Sequence, residues 1–198
     1  MSKQFILTIG RQFGSGGHII ASDLSERLGV NLYDENLISA AIKASRSDTE
    51  ALRFYEEKPR NKWVSRTYHN YKTSVSDIIA DREFKFMREL ADKGESFVVV
   101  GRCSENVLAG YPGLISIFVT ADEECKVSRI MQLYDKTEPD ARKMIIKKDS
   151  SREEYHNSHF KHTWGRSHNY DMVINSSRLG LEKTSDLLYE YVKLRIGE

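Results

Sequence analysis

The chain has 198 residues, enough for one domain with a sizeable core and a small appended lobe. Its 30 basic and 29 acidic residues nearly cancel, which argues against a nucleic-acid partner or a general anionic-membrane surface. No leader segment and no run approaching a membrane span is present, and Cys103 and Cys125 lack disulfide-framework spacing, so the expectation is a cytoplasmic protein with reduced, partly buried thiols.

The first predicted element is a strand over Phe5–Ile9, followed by the run Gly10-Arg-Gln-Phe-Gly-Ser-Gly-Gly-His18. Ile20, Leu24 and Leu28 then recur every fourth residue before Gly29, a helix with a glycine C-cap. Strand, glycine loop and helix in that order gather backbone N–H groups at a helix N-terminus, which favours bound phosphate. Further strands are predicted at 30–33, 97–101, 114–119 and 172–175. The third and fourth of the five strands are continuous and β-branched, as in strands covered on both faces. Helices carry Ile79, Phe86, Met87 and Leu90 up to Gly94, and Leu187, Leu188, Tyr191 and Val192 near the C-terminus. Strands alternating with helices predict an α/β fold with a parallel sheet and right-handed crossovers. Two polar segments, 35–75 and 136–169, exceed a minimal alternation. They are expected over the crevice at the strand ends, as a substrate lobe and a closing lid.

The loop departs from the standard phosphate loop G-x-x-x-x-G-K-[ST], in which the lysine meets the terminal phosphates. With Gly16 as the last loop glycine, Gly17 and His18 stand where Lys and Ser/Thr belong. The amides from Gly14 through Ser15, Gly16, Gly17 and His18 to Ile19 form the predicted cradle. Arg11 and His18 are the cations able to replace part of the missing charge, and Arg suits bidentate phosphate contact. Asp34, ending the second strand, is positioned either to hold magnesium through water or contact a substrate hydroxyl, or to cap the next helix. Arg102 follows Gly101 at the end of the third strand and is placed to meet an anion. In the charged segment 147–155, Lys148, Arg152 and Tyr155 share one helix face, with Asp149 one turn from Arg152. Cations from such a segment can neutralise a phosphoryl group in transfer; otherwise the segment is a solvated helix face. His156, His159 and His162 recur every third residue with His168 nearby, but the spacing lacks the zinc-helix pattern, and no metal site is assigned to them.

The chain resembles the cytidylate kinase-like proteins, within the nucleoside-monophosphate-kinase group of P-loop folds. The resemblance rests on Gly14-Ser-Gly-Gly-His-Ile-Ile-Ala21, Leu32-Tyr-Asp-Glu-Asn-Leu-Ile38, Val100-Gly-Arg102, Asp149-x-x-Arg152-x-x-Tyr155, Trp164-Gly165 and the block from Asn169 to Ser177. It implies a three-layer fold with a five-stranded parallel sheet in a single domain. The core would be 1–34, 96–135 and 170–198, the monophosphate-binding insertion 35–95 and the lid 136–169. It implies ATP and Mg2+ as cofactors and phosphoryl transfer to a nucleoside monophosphate such as CMP or a related small phosphate acceptor. By position, Gly14 to Ile19 and Arg129 would bind ATP. Asp34, Arg102, Asp149 and Tyr155 would face the substrate, and Lys148 and Arg152 would be catalytic, with Arg11 the catalytic cation expected from the loop itself. Trp164 and Gly165 would be hinge packing. The insertion offers Arg46, Arg53, Arg60 and Arg66 without a base-reading motif. The alternative is a nucleotide-binding regulatory or sensor protein without catalysis, and a homo-oligomer is left open.

Overall fold

A computed structural model of the chain describes residues 4–44, 66–68, 71–73 and 75–197. Five parallel strands form one sheet: β1 (Ile6–Arg11), β2 (Asn31–Tyr33), β5 (Phe97–Val100), β6 (Leu114–Thr120) and β7 (Met172–Asn175), in the order β2-β5-β1-β6-β7. β3 (Arg66–Tyr68) and β4 (Tyr71–Thr73) pair as a separate antiparallel hairpin. The helices are α1 (Gly17–Leu28), α2 (Glu35–Ala44), α3 (Val75–Asp92), the short α4 (Ser104–Val107), α5 (Glu123–Tyr134), α6 (Glu138–His159) and α7 (Gly180–Ile196). All five predicted strands and the three predicted helices are present, and Gly29 and Gly94 both end their helices with positive φ.

The layers follow from strand alternation, because successive side chains point to opposite faces. Leu7 and Ile9 of β1, with Val98, Val100, Ile115, Ile117 and Val119, pack against Ile20, Ala21 and Leu24 of α1 and Leu188 and Val192 of α7. Ile6, Phe97 and Val99 face the other way, onto Ile38 of α2 and Ala80, Phe84, Met87 and Leu90 of α3. A smaller core of Val127, Ile130, Ala141 and Ile145 joins α5 to α6 and includes the loop's Phe13 at its edge. That third core sets α6 beside the glycine loop.

The sheet register positions the site. Ile9 lies opposite Val100 and the Gly101 amide bonds the Ile9 carbonyl at 3.0 Å, so Gly10 and Arg11 end beside Gly101 and Arg102. These are the carboxyl ends of adjacent parallel strands, where open α/β sheets hold their ligands. The segment 35–75 holds α2 and the hairpin; Arg46, Arg53 and Arg60 lie outside the described residues, and Arg66 begins β3. Of the two thiols, Cys103 is buried but Cys125 is exposed, because residue 125 falls on the solvent side of α5. No helix among the described residues is long and apolar enough to cross a membrane.

Candidate functional site

The glycine loop turns through left-handed backbone at Gly14 and Gly16 and delivers the chain into α1 at Gly17. The amides of Gly14, Gly16, His18 and Ile19 have no intramolecular acceptor among the described residues. Ser15 is buried; its hydroxyl donates to the Gln12 carbonyl at 2.8 Å, and its own carbonyl accepts from Ser176 at 2.6 Å. The loop is therefore braced from below while free donors remain at the helix N-terminus, the arrangement that binds anions.

Arg11 decides what this loop can do. A Cβ on Gly17 would lie 2.6 Å from the Cβ of Arg11 and 3.2 Å from its Cγ. The stem of Arg11 thus fills the space into which a side chain at 17 would emerge. Its guanidinium continues to Gly101, where an added Cβ would collide with Nη1. Arg11 lies in a slot made by two glycines, one beside its stem and one beneath its head. Among the described residues the head has neither a hydrogen-bond acceptor nor a carboxylate partner. Burial, then the charges of Arg152 and Arg102, lower its pKa to about 9, against the pull of Glu35 and Asp34. A guanidinium held this way keeps its charge at neutral pH, with no carboxylate in ion-pair contact among the described residues.

The turn after β5 carries three successive left-handed residues, Gly101 (φ 73°), Arg102 (φ 57°) and Cys103 (φ 56°). Two non-glycine residues in that region cost about 1–2 kcal/mol each, and such strain concentrates at functional sites. The turn sends Arg102 to Glu83 of α3, with Nε at 2.8 Å and Nη2 at 2.5 Å from Oε2, and 4.4 Å above the Tyr155 ring. Glu83 is 1% exposed and its Oε1 has no partner among the described residues. Burial raises the Glu83 carboxyl above its ordinary value despite Arg102; burial also opposes the charge on Arg102, but Glu83, Tyr155 and Glu35 outweigh it and raise its pKa.

From α6, Asp149 accepts the Phe13 amide of the loop at 2.6 Å, and Arg152 donates to the Arg11 carbonyl at 3.1 Å. Burial raises Asp149 above the usual carboxylate range against the opposing Phe13 amide and Lys126. Burial likewise lowers Arg152. Lys126 of α5 is buried, with Nζ 3.4 Å from Gln12 Oε1 and 3.8 Å from Asp149 Oδ2. Arg129 donates to the Gly14 carbonyl and is lowered by burial. α5 and α6 therefore clasp the loop from its outer side.

Arg11, Arg102, Lys148, Arg152 and Tyr155 line one cavity of about 290 Å³, together with Glu35, Glu105, His156, Trp164 and Tyr170. Five of the residues singled out from sequence thus converge. The other residues given a binding or catalytic role do not line it. Asp34 accepts the Leu37 amide at 2.9 Å through Oδ1, capping α2, and meets His18 Nε2 at 3.0 Å through Oδ2. Partial burial pushes its pKa up, but the Leu37 amide and His18 outweigh this and hold it below the ordinary value. His18 and Ile19 are exposed at the start of α1. Asp149 faces the loop, and Arg129 engages a loop carbonyl. The three spaced histidines separate: His156 meets Glu105 at 2.8 Å and His159 meets the Tyr155 carbonyl at 2.7 Å, while His162 lies beyond the end of α6. Trp164 packs edge-on against Phe118, ring centres 5.3 Å apart, and also lines the cavity.

Sequence reasoning missed Glu83, Glu105 and Lys126. Glu83 sits in an ordinary amphipathic helix, and only the tertiary approach of Arg102 distinguishes it. Lys126 stands three residues before Arg129, on the same face of α5; that spacing is the signal that could have found it.

No curated protein matches the sequence. In solved structures, an uncharacterized protein from Eubacterium ventriosum superposes with a TM-score of 0.77 at 31% identity, covering 96% of this chain and 99% of that one. Shikimate kinase from Bacteroides thetaiotaomicron superposes at 0.55 with 13% identity, over 96% and 98% of the two chains. A sugar kinase from a Janibacter species superposes at 0.51 with 14% identity, over 98% and 95%. The last two likenesses show a shared fold. A profile of the cytidylate kinase-like family matches residues 6–178. From the glycine loop through the Arg102 turn to the last strand, the chain belongs to the cytidylate kinase-like family.

Proposed function

We propose that the protein is a phosphotransferase that uses ATP and Mg2+ to phosphorylate a nucleoside monophosphate, CMP or dCMP, or a related small phosphate-bearing acceptor. The observation that carries this reading is Arg11, a half-buried guanidinium without a hydrogen-bond partner among the described residues, in a cavity beside a loop of free amides. A cation with no ion-paired carboxylate among the described residues, next to donors with no acceptor there, matches a dianionic phosphate.

The free amides of Gly14, Gly16, His18 and Ile19 fit the phosphate chain of ATP. ATP supplies the transferable phosphoryl group, and Mg2+ offsets part of its charge. Mg2+ keeps most of its waters and needs only one or two carboxylates besides phosphate. Asp34, across from His18 at the first turn of α1, fits as a water-bridged partner. Arg11, Lys148 and Arg152 neutralise the phosphoryl group in transfer, and Arg102, fixed by Glu83, orients the acceptor. Catalysis in this reading is positioning and electrostatics, with no covalent step on the protein. The domain division into core, monophosphate insertion and lid belongs to the same reading, as does a cytoplasmic location.

The test is steady-state ADP formation from ATP and Mg2+ with each ribo- and deoxyribonucleoside monophosphate and a set of sugar phosphates. Turnover with one acceptor class is the expected result. A second reading, a nucleotide-binding regulatory protein, draws on Gly17, which leaves the loop without a side-chain cation of its own. Calorimetric ATP binding with no turnover for any acceptor selects that second reading.

A further inference from the structure

One part of the cavity lining is built differently from the arginines. Glu105 of α4 is buried, and its Oε1 collects three donors: His156 at 2.8 Å, the Asn106 amide at 3.0 Å and the Tyr170 hydroxyl at 3.4 Å. His156 is 2% exposed, and its Nδ1 meets Asn157 Oδ1 at 3.3 Å, so both ring nitrogens face oxygens. Burial works against its charge, but Glu105 outweighs it and raises the His156 pKa. The second carboxylate oxygen, Oε2, has no partner among the described residues. It is also not among the sealed unpartnered atoms, which are Glu83 Oε1, Ser104 Oγ and His159 Nε2. Glu105 lines the cavity, which leaves Oε2 as the carboxylate oxygen available to a ligand there.

The chemistry of what meets Oε2 is restricted. A lone-pair acceptor would be repelled, and an apolar group would leave a buried carboxylate oxygen unsatisfied. An ammonium is disfavoured, because Arg11, Arg102, Lys148 and Arg152 line the same cavity. A neutral O–H donor fits, and a hydroxyl on a carboxylate makes a short, charge-assisted bond. The cavity holds about ten water volumes at about 30 Å³ each, the lower edge of small-molecule sites. We propose that Glu105 reads a hydroxyl of a sugar phosphate: the phosphate lies on the arginine wall and a ring hydroxyl donates to Oε2. The sugar phosphate can be free or the sugar-phosphate half of a nucleotide. This rests on the phosphate-acceptor reading above.

The experiment is calorimetric titration of the full chain with four probes: inorganic phosphate, tetrahydrofurfuryl phosphate, ribose 5-phosphate and CMP. The second and third share a ring and a phosphate and differ only in hydroxyls. Ribose 5-phosphate is expected to bind about 10- to 100-fold more tightly than tetrahydrofurfuryl phosphate. In Glu105→Gln the gap is expected to shrink to threefold or less, with phosphate affinity unchanged. The wild-type comparison stands even if the variant does not fold. Equal affinity of the two ring probes in the wild type overturns the proposal while leaving the phosphate site intact. So does a Glu105→Gln variant that loses phosphate and ribose 5-phosphate in equal proportion, since that marks a structural role. Absence of phosphate binding in the wild type removes the cationic-wall reading and this proposal with it. CMP separates the sources: tighter binding than ribose 5-phosphate marks a nucleotide, and weaker binding marks a free sugar phosphate, and either agrees with the hydroxyl contact.

Discussion

The stem of Arg11 occupies the place where a side chain at residue 17 would stand, 2.6 Å from the Cβ that Gly17 lacks. The two positions exclude each other: this loop accommodates an arginine entering it or a lysine leaving it. Gly17 is therefore the steric companion of Arg11, and the cation has moved from the helix start to the strand end.

That relationship is testable by exchange. Gly17→Lys forces a side chain into Arg11 and is expected to cost about 1–3 kcal/mol of stability, the range for overpacking. Adding Arg11→Gly to it empties the slot and is expected to recover most of the loss. Urea denaturation of the two single variants and the double variant measures the coupling, expected between about 0.5 and 3 kcal/mol. Strict additivity would count against a shared slot.

Gly101 bears the other end of Arg11 and has φ 73°. Gly101→Ala meets both a left-handed backbone penalty of about 1–2 kcal/mol and the guanidinium itself. The variant is expected to unfold at lower urea and to bind inorganic phosphate at least tenfold more weakly, read by calorimetry. Phosphate affinity equal to wild type would place the guanidinium elsewhere.

Arg102 neutralises Glu83, which is 1% exposed. Arg102→Ala leaves a buried carboxylate unpaired and is expected to destabilise by about 3–5 kcal/mol. Arg102→Ala with Glu83→Gln is expected to regain much of that stability in thermal melts while remaining inactive, because the charge facing the acceptor is still absent.

The His156–Glu105 pair makes a pH prediction. Burial opposes the imidazolium, yet Glu105 raises the folded-state pKa above the unfolded value of 6.5. The pair's contribution is then fully present below about pH 6.5 and is lost as pH rises through the folded value. Melting temperature is expected to decline from pH 6.5 upward, more steeply in the wild type than in His156→Gln. Parallel profiles would remove His156 from the account.

The fold was legible because its signals are local. Each strand is a short apolar run, and Gly29 and Gly94 punctuate their helices. The convergence of Arg102, Lys148, Arg152 and Tyr155 was legible too, since strand ends and one helix face are readable from spacing. The direction of Arg11 was not legible, because it depends on the β1–β5 register and on two glycines 84 residues apart. Asp34 read equally well as a ligand contact or as a helix cap, and Asp149 as a partner of Arg152; the structure has them accepting the Leu37 and Phe13 amides. Glu105 was hidden inside a four-residue helix, where no periodicity marks a buried acid.

The central claim is that Arg11 supplies the charge on which the loop's chemistry depends. Its most direct test is kcat for ATP-dependent transfer to the best acceptor, compared between wild type and Arg11→Met, which keeps the stem in the slot and removes the charge. The account predicts a fall of about 10²–10³ in kcat with an unchanged melting temperature. Undiminished kcat in Arg11→Met would contradict it.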